Sequence, residues 1–170
     1  MHWETVVFAL AAAYNLGIIV VSKGFTSKDL FDFDPLFNRN GCIGVVLWGL
    51  AYGSMATTFE SAPYICAVFA VEKWFYYVHW HAWLHSAADV SRAGSAEFFY
   101  RTYGIGDLLF GSFFWYVFGH STVLANGGSD GVAVPLGVGL AAAGALVPVA
   151  SMLVYLARKG SQPPMLQMNP

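Results

Sequence analysis

Charge is what this chain has least of: 8 Lys and Arg and 10 Asp and Glu make up 11% of its 170 residues. An average soluble domain carries about a quarter. With 57% hydrophobic residues and a mean hydropathy of +0.55, the surface cannot be clothed in charge, which points to lipid as the solvent. No basic block or nucleic-acid module is present and the net charge is only -2, so nucleic acid is excluded as a partner. Cys42 and Cys66 are the only cysteines and form neither a CxxC redox motif nor a four-ligand zinc site. No basic region precedes the first apolar stretch, so that stretch reads as a retained span rather than a cleaved signal. No long linker or low-complexity tract divides the chain, and residues 1–170 read as one membrane domain.

A helix needs about 20 mostly apolar residues to cross a hydrocarbon layer of about 30 Å. Five stretches meet this: Trp3 to Ser22, Gly41 to Phe59, Ala62 to Leu84, Ile105 to Leu124 and Val132 to Ala157. Breaker-rich turns separate them at "ESAP", Glu60 to Pro63, and "NGGSDG", Asn126 to Gly131. The expected fold is therefore all-α, a polytopic bundle of five transmembrane helices. Basic residues near span ends stay on the cytoplasmic side. Five spans put Lys23, Lys28, Arg39, Arg92, Arg101, Arg158 and Lys159 on one face and none on the other. This predicts an outer N-terminus and a cytoplasmic, or matrix-side, C-terminus.

The same topology puts Cys42 near the inner face and Cys66 near the outer one, too far apart for a disulfide. The loop 23–40 alternates Phe25, Leu30, Phe31, Phe33, Leu36 and Phe37 with charges, and is expected to lie in the headgroup region with its aromatics toward lipid. Its Asp32, Asp34, Asn38 and Asn40 lack calcium-loop spacing.

Ionisable residues concentrate in "VEKWFYYVHWHAWLH", Val71 to His85. Glu72 and Lys73 fall mid-span, each costing about 2.5–3.5 kcal/mol there on an insertion scale, and so require partners. Adjacent helix positions point about 100° apart and are poorly placed to satisfy each other. Glu72, Tyr76, His79 and Trp83 share one stripe, which should face protein. Tyr14 and Asn15 lie at the same depth on the first span, and Asn15 is expected to hydrogen-bond Glu72 or Lys73.

The candidate ligand-binding set is Asn15, Glu72, Lys73, Tyr76 and His79, with Glu72 and His79 as candidate acid or base. Two readings compete for these residues: a buried network that fixes helix register, and a proton or ligand site. His81 and His85 have metal-ligand spacing and sit near the inner end, where only Asp89 and Asp107, both placed on the cytoplasmic face, can extend the set. Bis-histidine haem between His79 and His120 is disfavoured because the two lie at different depths. No cofactor is expected. His2, Glu4, Glu60, His120 and Asp130 collect at the outer face, where two readings compete, an entry to a cavity that ends at Glu72 and, favoured, the ordinary solvation of charged span ends. In the last stretch the Gly139/Ala143 and Ala141/Ala145 pairs have the spacing of tight helix contacts.

The functional expectation is a pocket that binds or transports a small apolar or amphipathic molecule, with proton coupling through Glu72. The protein would work in the bilayer, as a homo-oligomer or within a membrane complex. One alternative is a membrane enzyme acting on a lipid by acid/base chemistry, although no nucleophile motif is present. The other is an accessory subunit whose Glu/Lys network is structural.

Overall fold

A computed structural model describes residues 2–33, 35–86 and 94–160. Among them there is no strand, and the chain forms five long helices and two short ones. In order these are α1 (Trp3–Leu16), α2 (Ile18–Val21), α3 (Lys28–Phe33), α4 (Arg39–Met55), α5 (Pro63–Ser86), α6 (Gly94–Ala125) and α7 (Asp130–Gly160). Two segments, Trp3–Val21 and Thr102–Ala125, are long and apolar enough to cross a membrane by length and composition. The all-α architecture matches the expectation from sequence, but on that criterion only two of the five expected crossings qualify among the described residues.

The helix ends follow local chemistry. Asn38 caps α4, its Oδ1 accepting from the Gly41 amide at 2.9 Å, and so satisfies one of the four amides left open at a helix start. Pro63 opens α5, where its missing amide hydrogen costs nothing. After α6 the chain turns through Gly127 at φ 77, with the Gly128 amide donating to Val123 at 2.9 Å, a left-handed helix stop that glycine adopts without strain. Following α2, Lys23, Gly24 and Phe25 are left-handed in succession. Two of the three are not glycine, a conformation that costs about 1–3 kcal/mol per such residue.

Packing is inside out. The outward faces carry Leu10, Leu47, Leu50, Val68, Phe75, Leu109 and Leu146, each more than half exposed, while Glu4, Asn15, Glu72, Lys73, Asp107 and Ser121 are buried. Two core clusters lie along the bundle. The first joins Phe8, Ala11, Ala12, Tyr52, Met55, Phe59, Cys66, Phe69, Ala70, Phe114 and Val117. The second joins Ile18, Leu30, Phe37, Cys42, Val45, Trp80 and Tyr103.

Two sequence expectations change here. Phe37 was expected, with the other loop aromatics, to face lipid, but it is buried. The 3-10 turn Pro35–Phe37 carries Phe37 under the bundle, where its ring stacks on Trp80 at 4.4 Å and removes more apolar area from water than an interfacial position would. The small-residue pair Gly139/Ala143 faces outward. The close α6–α7 approach uses Gly137 instead, where a Cβ would lie 2.8 Å from the Tyr116 carbonyl oxygen. Cys42 and Cys66 are buried free thiols, one in each cluster.

Candidate functional site

Four helices converge on Lys73, which is 2% exposed. From α5 its ammonium donates to Asn15 Oδ1 on α1 at 2.9 Å and to Asp107 Oδ1 on α6 at 2.9 Å. The ring of Tyr52, on α4, lies 5.1 Å from the ammonium. Glu72 Oε2 is 3.8 Å away, a distance at which the charges attract without a direct hydrogen bond. The adjacent Glu and Lys are thus poor partners for each other, as the 100° helical step requires, and each takes its hydrogen bonds from other helices.

Asp107 is the second anchor. Its other oxygen, Oδ2, accepts from Trp80 Nε1 at 2.7 Å, so both of its oxygens are engaged. Asn15 is fixed in turn by donating Nδ2 to the Val45 carbonyl at 3.3 Å. Glu72 is held differently. Tyr52 donates its hydroxyl to Oε2 at 2.5 Å, while Oε1 is buried with no hydrogen-bond partner.

Beside these groups lies a small cavity lined by Asn15, Glu72, Lys73, Asp107 and Tyr76, with Phe37, Val45, Trp80 and Tyr103 completing its wall. The volume open to the centre of a water molecule is about 10 Å³, roughly what one water requires. On the other side of Tyr52 the first core cluster begins. Tyr52 meets Phe69 at 4.7 Å and Phe114 at 5.0 Å, and Phe8 meets Phe114 at 5.3 Å. Close packing around the network also depends on Gly106, where a Cβ would land in the ring of Tyr14. That ring meets Tyr103 in a tilted contact at 4.6 Å.

The sequence-based candidates divide. Asn15, Glu72, Lys73 and Tyr76 come together around the cavity, and the expected Asn15 hydrogen bond forms, with Lys73 as donor. His79 is placed among aromatic rings. It packs over Phe75 at 6.2 Å and edge-on to Trp80 at 5.3 Å, and does not line the cavity. The side chains of His81, Trp83 and His85, and Asp89 altogether, lie outside the described residues, as do the side chains of Arg101, Arg158 and Lys159.

Asp107 requires a correction. It was placed on the cytoplasmic face as a second-rank metal ligand because the fourth apolar stretch begins only two residues before it. Helix α6 starts at Gly94, which puts Asp107 about 20 Å along the helix by rise. There it is 2% exposed and committed to Lys73 and Trp80. Tyr52 and Trp80 were also missed, since a mid-span aromatic reads as apolar filling and nothing in the sequence marks its polar atom as used. No group of three or more His, Cys, Asp or Glu side chains that could hold a metal occurs among the described residues. At the far end of α6, His120 pairs with Asp130 at 3.5 Å, and Asp130 is 80% exposed.

Comparison with protein families, with curated proteins and with solved structures finds no match for this chain.

Proposed function

We propose that this is a multi-pass membrane protein whose Glu72 takes up and releases a proton inside the bundle, coupled to the passage or binding of a small apolar or amphipathic molecule. The observation that carries the reading is a charge imbalance. Asp107 and Lys73 form a satisfied pair, with Asn15 and Trp80 filling the remaining positions. Glu72 is the surplus anion, and its Oε1 is buried without a partner. A buried unpaired charge is unfavourable by several kcal/mol, and one proton removes it. The groups needed to exchange that proton are at hand: a tyrosine hydroxyl on one oxygen, an ammonium nearby and room for one water. Intramembrane carboxylates so placed are the usual elements of proton relays.

The membrane part of the reading extends beyond the two qualifying helices. Supporting five crossings by α1, α4, α5, α6 and α7 are the apolar residues on all their outward faces and the position of Lys23 and Lys28 on the connection between α2 and α4, with Arg39 at the first residue of α4. By the positive-inside rule that connection is cytoplasmic or matrix-side, and the N-terminus is on the opposite side.

The deciding experiment is infrared titration of the protein in lipid, comparing wild type with Glu72→Gln. A protonated-carboxyl band that rises and falls with pH and disappears in Glu72→Gln is the expected result. Absence of any titrating band, or one unchanged in the variant, sinks the proposal. One observation favours a purely structural network: Lys73 ties α1, α5 and α6 together through direct hydrogen bonds. That reading is left standing if no band titrates.

A further inference from the structure

Resting on that reading of Glu72, we propose that its proton arrives from one side only. On this view the small cavity is an antechamber that holds one water on Oε1, and Phe37 is the residue that controls entry to it.

Three observations converge. The first is Oε1 itself, on a residue 9% exposed, facing no hydrogen-bond partner and next to a space of about 10 Å³. A buried water needs both that room and polar partners, and the same wall offers Lys73, Tyr76 and Asp107.

The second is the asymmetry of the two cores. Toward the end of the bundle where α1 begins, Tyr52 is followed by Phe69, Phe114, Phe8 and Phe59, with Phe8 and Phe59 stacked at 5.5 Å. The buried side chains of this cluster offer no oxygen or nitrogen beyond the Tyr52 hydroxyl, with the buried Glu4 and Ser121 outside it at the same end, and an apolar constriction excludes water by dewetting. Toward the end where α4 begins, the cavity is already present, with Phe37, Val45, Trp80 and Tyr103 in its wall.

The third is how Phe37 is held. It is fully buried and stacked on Trp80, the same indole that donates to Asp107. It sits on a 3-10 turn outside the long helices, and the connection leading to that turn includes the left-handed Lys23, Gly24 and Phe25. A ring carried on a connecting turn can leave its place without breaking a helix, whereas Phe8 and Phe114 are built into α1 and α6. Trp80 is accordingly a positioning residue, which couples the seat of Phe37 to the carboxylate paired with Lys73.

The test is the rate at which the Glu72 carboxyl exchanges hydrogen for deuterium in lipid vesicles moved into heavy water, read from the isotope shift of its infrared band. Phe37→Ala is expected to accelerate exchange by about tenfold or more, equivalent to about 1.4 kcal/mol off the barrier. Phe37→Leu should give a smaller increase, and Phe37→Trp none. Phe114→Ala, which thins the opposite core, should leave the rate within about twofold. If Phe37→Ala compromises folding, the order Leu faster than Phe and Trp no faster carries the same information. Equal rates across the Phe37 series, or acceleration by Phe114→Ala to the same extent, overturn the one-sided route while leaving proton binding by Glu72 intact. The absence of any Glu72 carboxyl band overturns both.

Discussion

Replacing Lys73 by Met removes the one cation from a buried site with two carboxylates and leaves a side chain of similar length to fill the space. Breaking a buried ion pair by deleting one partner costs about 3–5 kcal/mol, because the remaining charge is stranded. Here Asp107 loses a 2.9 Å bond and Glu72 its neighbour at 3.8 Å. Asn15 Oδ1 also loses its donor, which adds about 1 kcal/mol. The expected destabilisation of Lys73→Met is therefore about 4–6 kcal/mol, large against a typical stability of about 5–15. Asp107→Asn is milder, since Lys73 keeps Asn15 and gains Glu72 as its only counter-ion, so that the charges balance. The double variant Lys73→Met/Asp107→Asn should be more stable than Lys73→Met alone, with a coupling energy of about 0.5–3 kcal/mol. Unfolding in mixed micelles by a denaturing detergent, followed by tryptophan fluorescence, measures all three. The penalty for Lys73→Met should also be smaller near about pH 5 than near about pH 8, because protons neutralise the stranded carboxylates. A loss below about 1 kcal/mol, which is ordinary for a point substitution, or a penalty that grows as pH falls, would refute the assignment of Lys73 as the counter-ion of this site.

Two further outcomes test the frame that holds the site. Gly137→Val places a Cβ 2.8 Å from the Tyr116 carbonyl oxygen, whereas Gly139 has nothing within 4 Å. The first should destabilise by about 1–3 kcal/mol through overpacking and the second by less than about 0.5 kcal/mol, in the same unfolding assay. Cysteines introduced at the exposed positions Lys28 and Ser129 should react with a membrane-impermeant maleimide from opposite sides of sealed vesicles. Labelling of both from one side rules out five crossings.

What sequence reasoning could and could not reach here has a common cause. The helices were legible because apolar runs and breakers such as Pro63 and Gly127 act locally, within a few residues. Lys73 and Asn15 were matched because depth along a helix follows directly from residue number. Asp107 was misplaced because its depth depended on where α6 begins, and the aromatic "AEFFYRTY" ahead of the apolar core carries no sharp boundary. Phe37 escaped because a ring on a connecting turn can face lipid or tuck under the bundle with the same periodicity, and only the presence of Trp80 decides. Gly139/Ala143 had the right spacing on the wrong face. In a helix with small residues on several sides, the partner surface selects the contact, here Tyr116 and Gly119 on α6.

The two roles assigned to the polar network make different demands on its members, which allows them to be separated. A clasp that holds helices together needs opposite charges in equal number and every hydrogen-bonding atom engaged. Lys73 and Asp107, with Asn15 and Trp80, meet that description without Glu72. A second carboxylate adds one bond, from the Tyr52 hydroxyl, to a pair already complete, and against it imports a desolvation penalty and leaves one oxygen unbonded. The group a structural role does not need is therefore the one a proton-exchange role requires: close enough to an ammonium for its ionised form to be tolerated, and bonded to a hydroxyl on only one side. Glu72→Gln should accordingly preserve the clasp while abolishing exchange, and Lys73→Met should damage both.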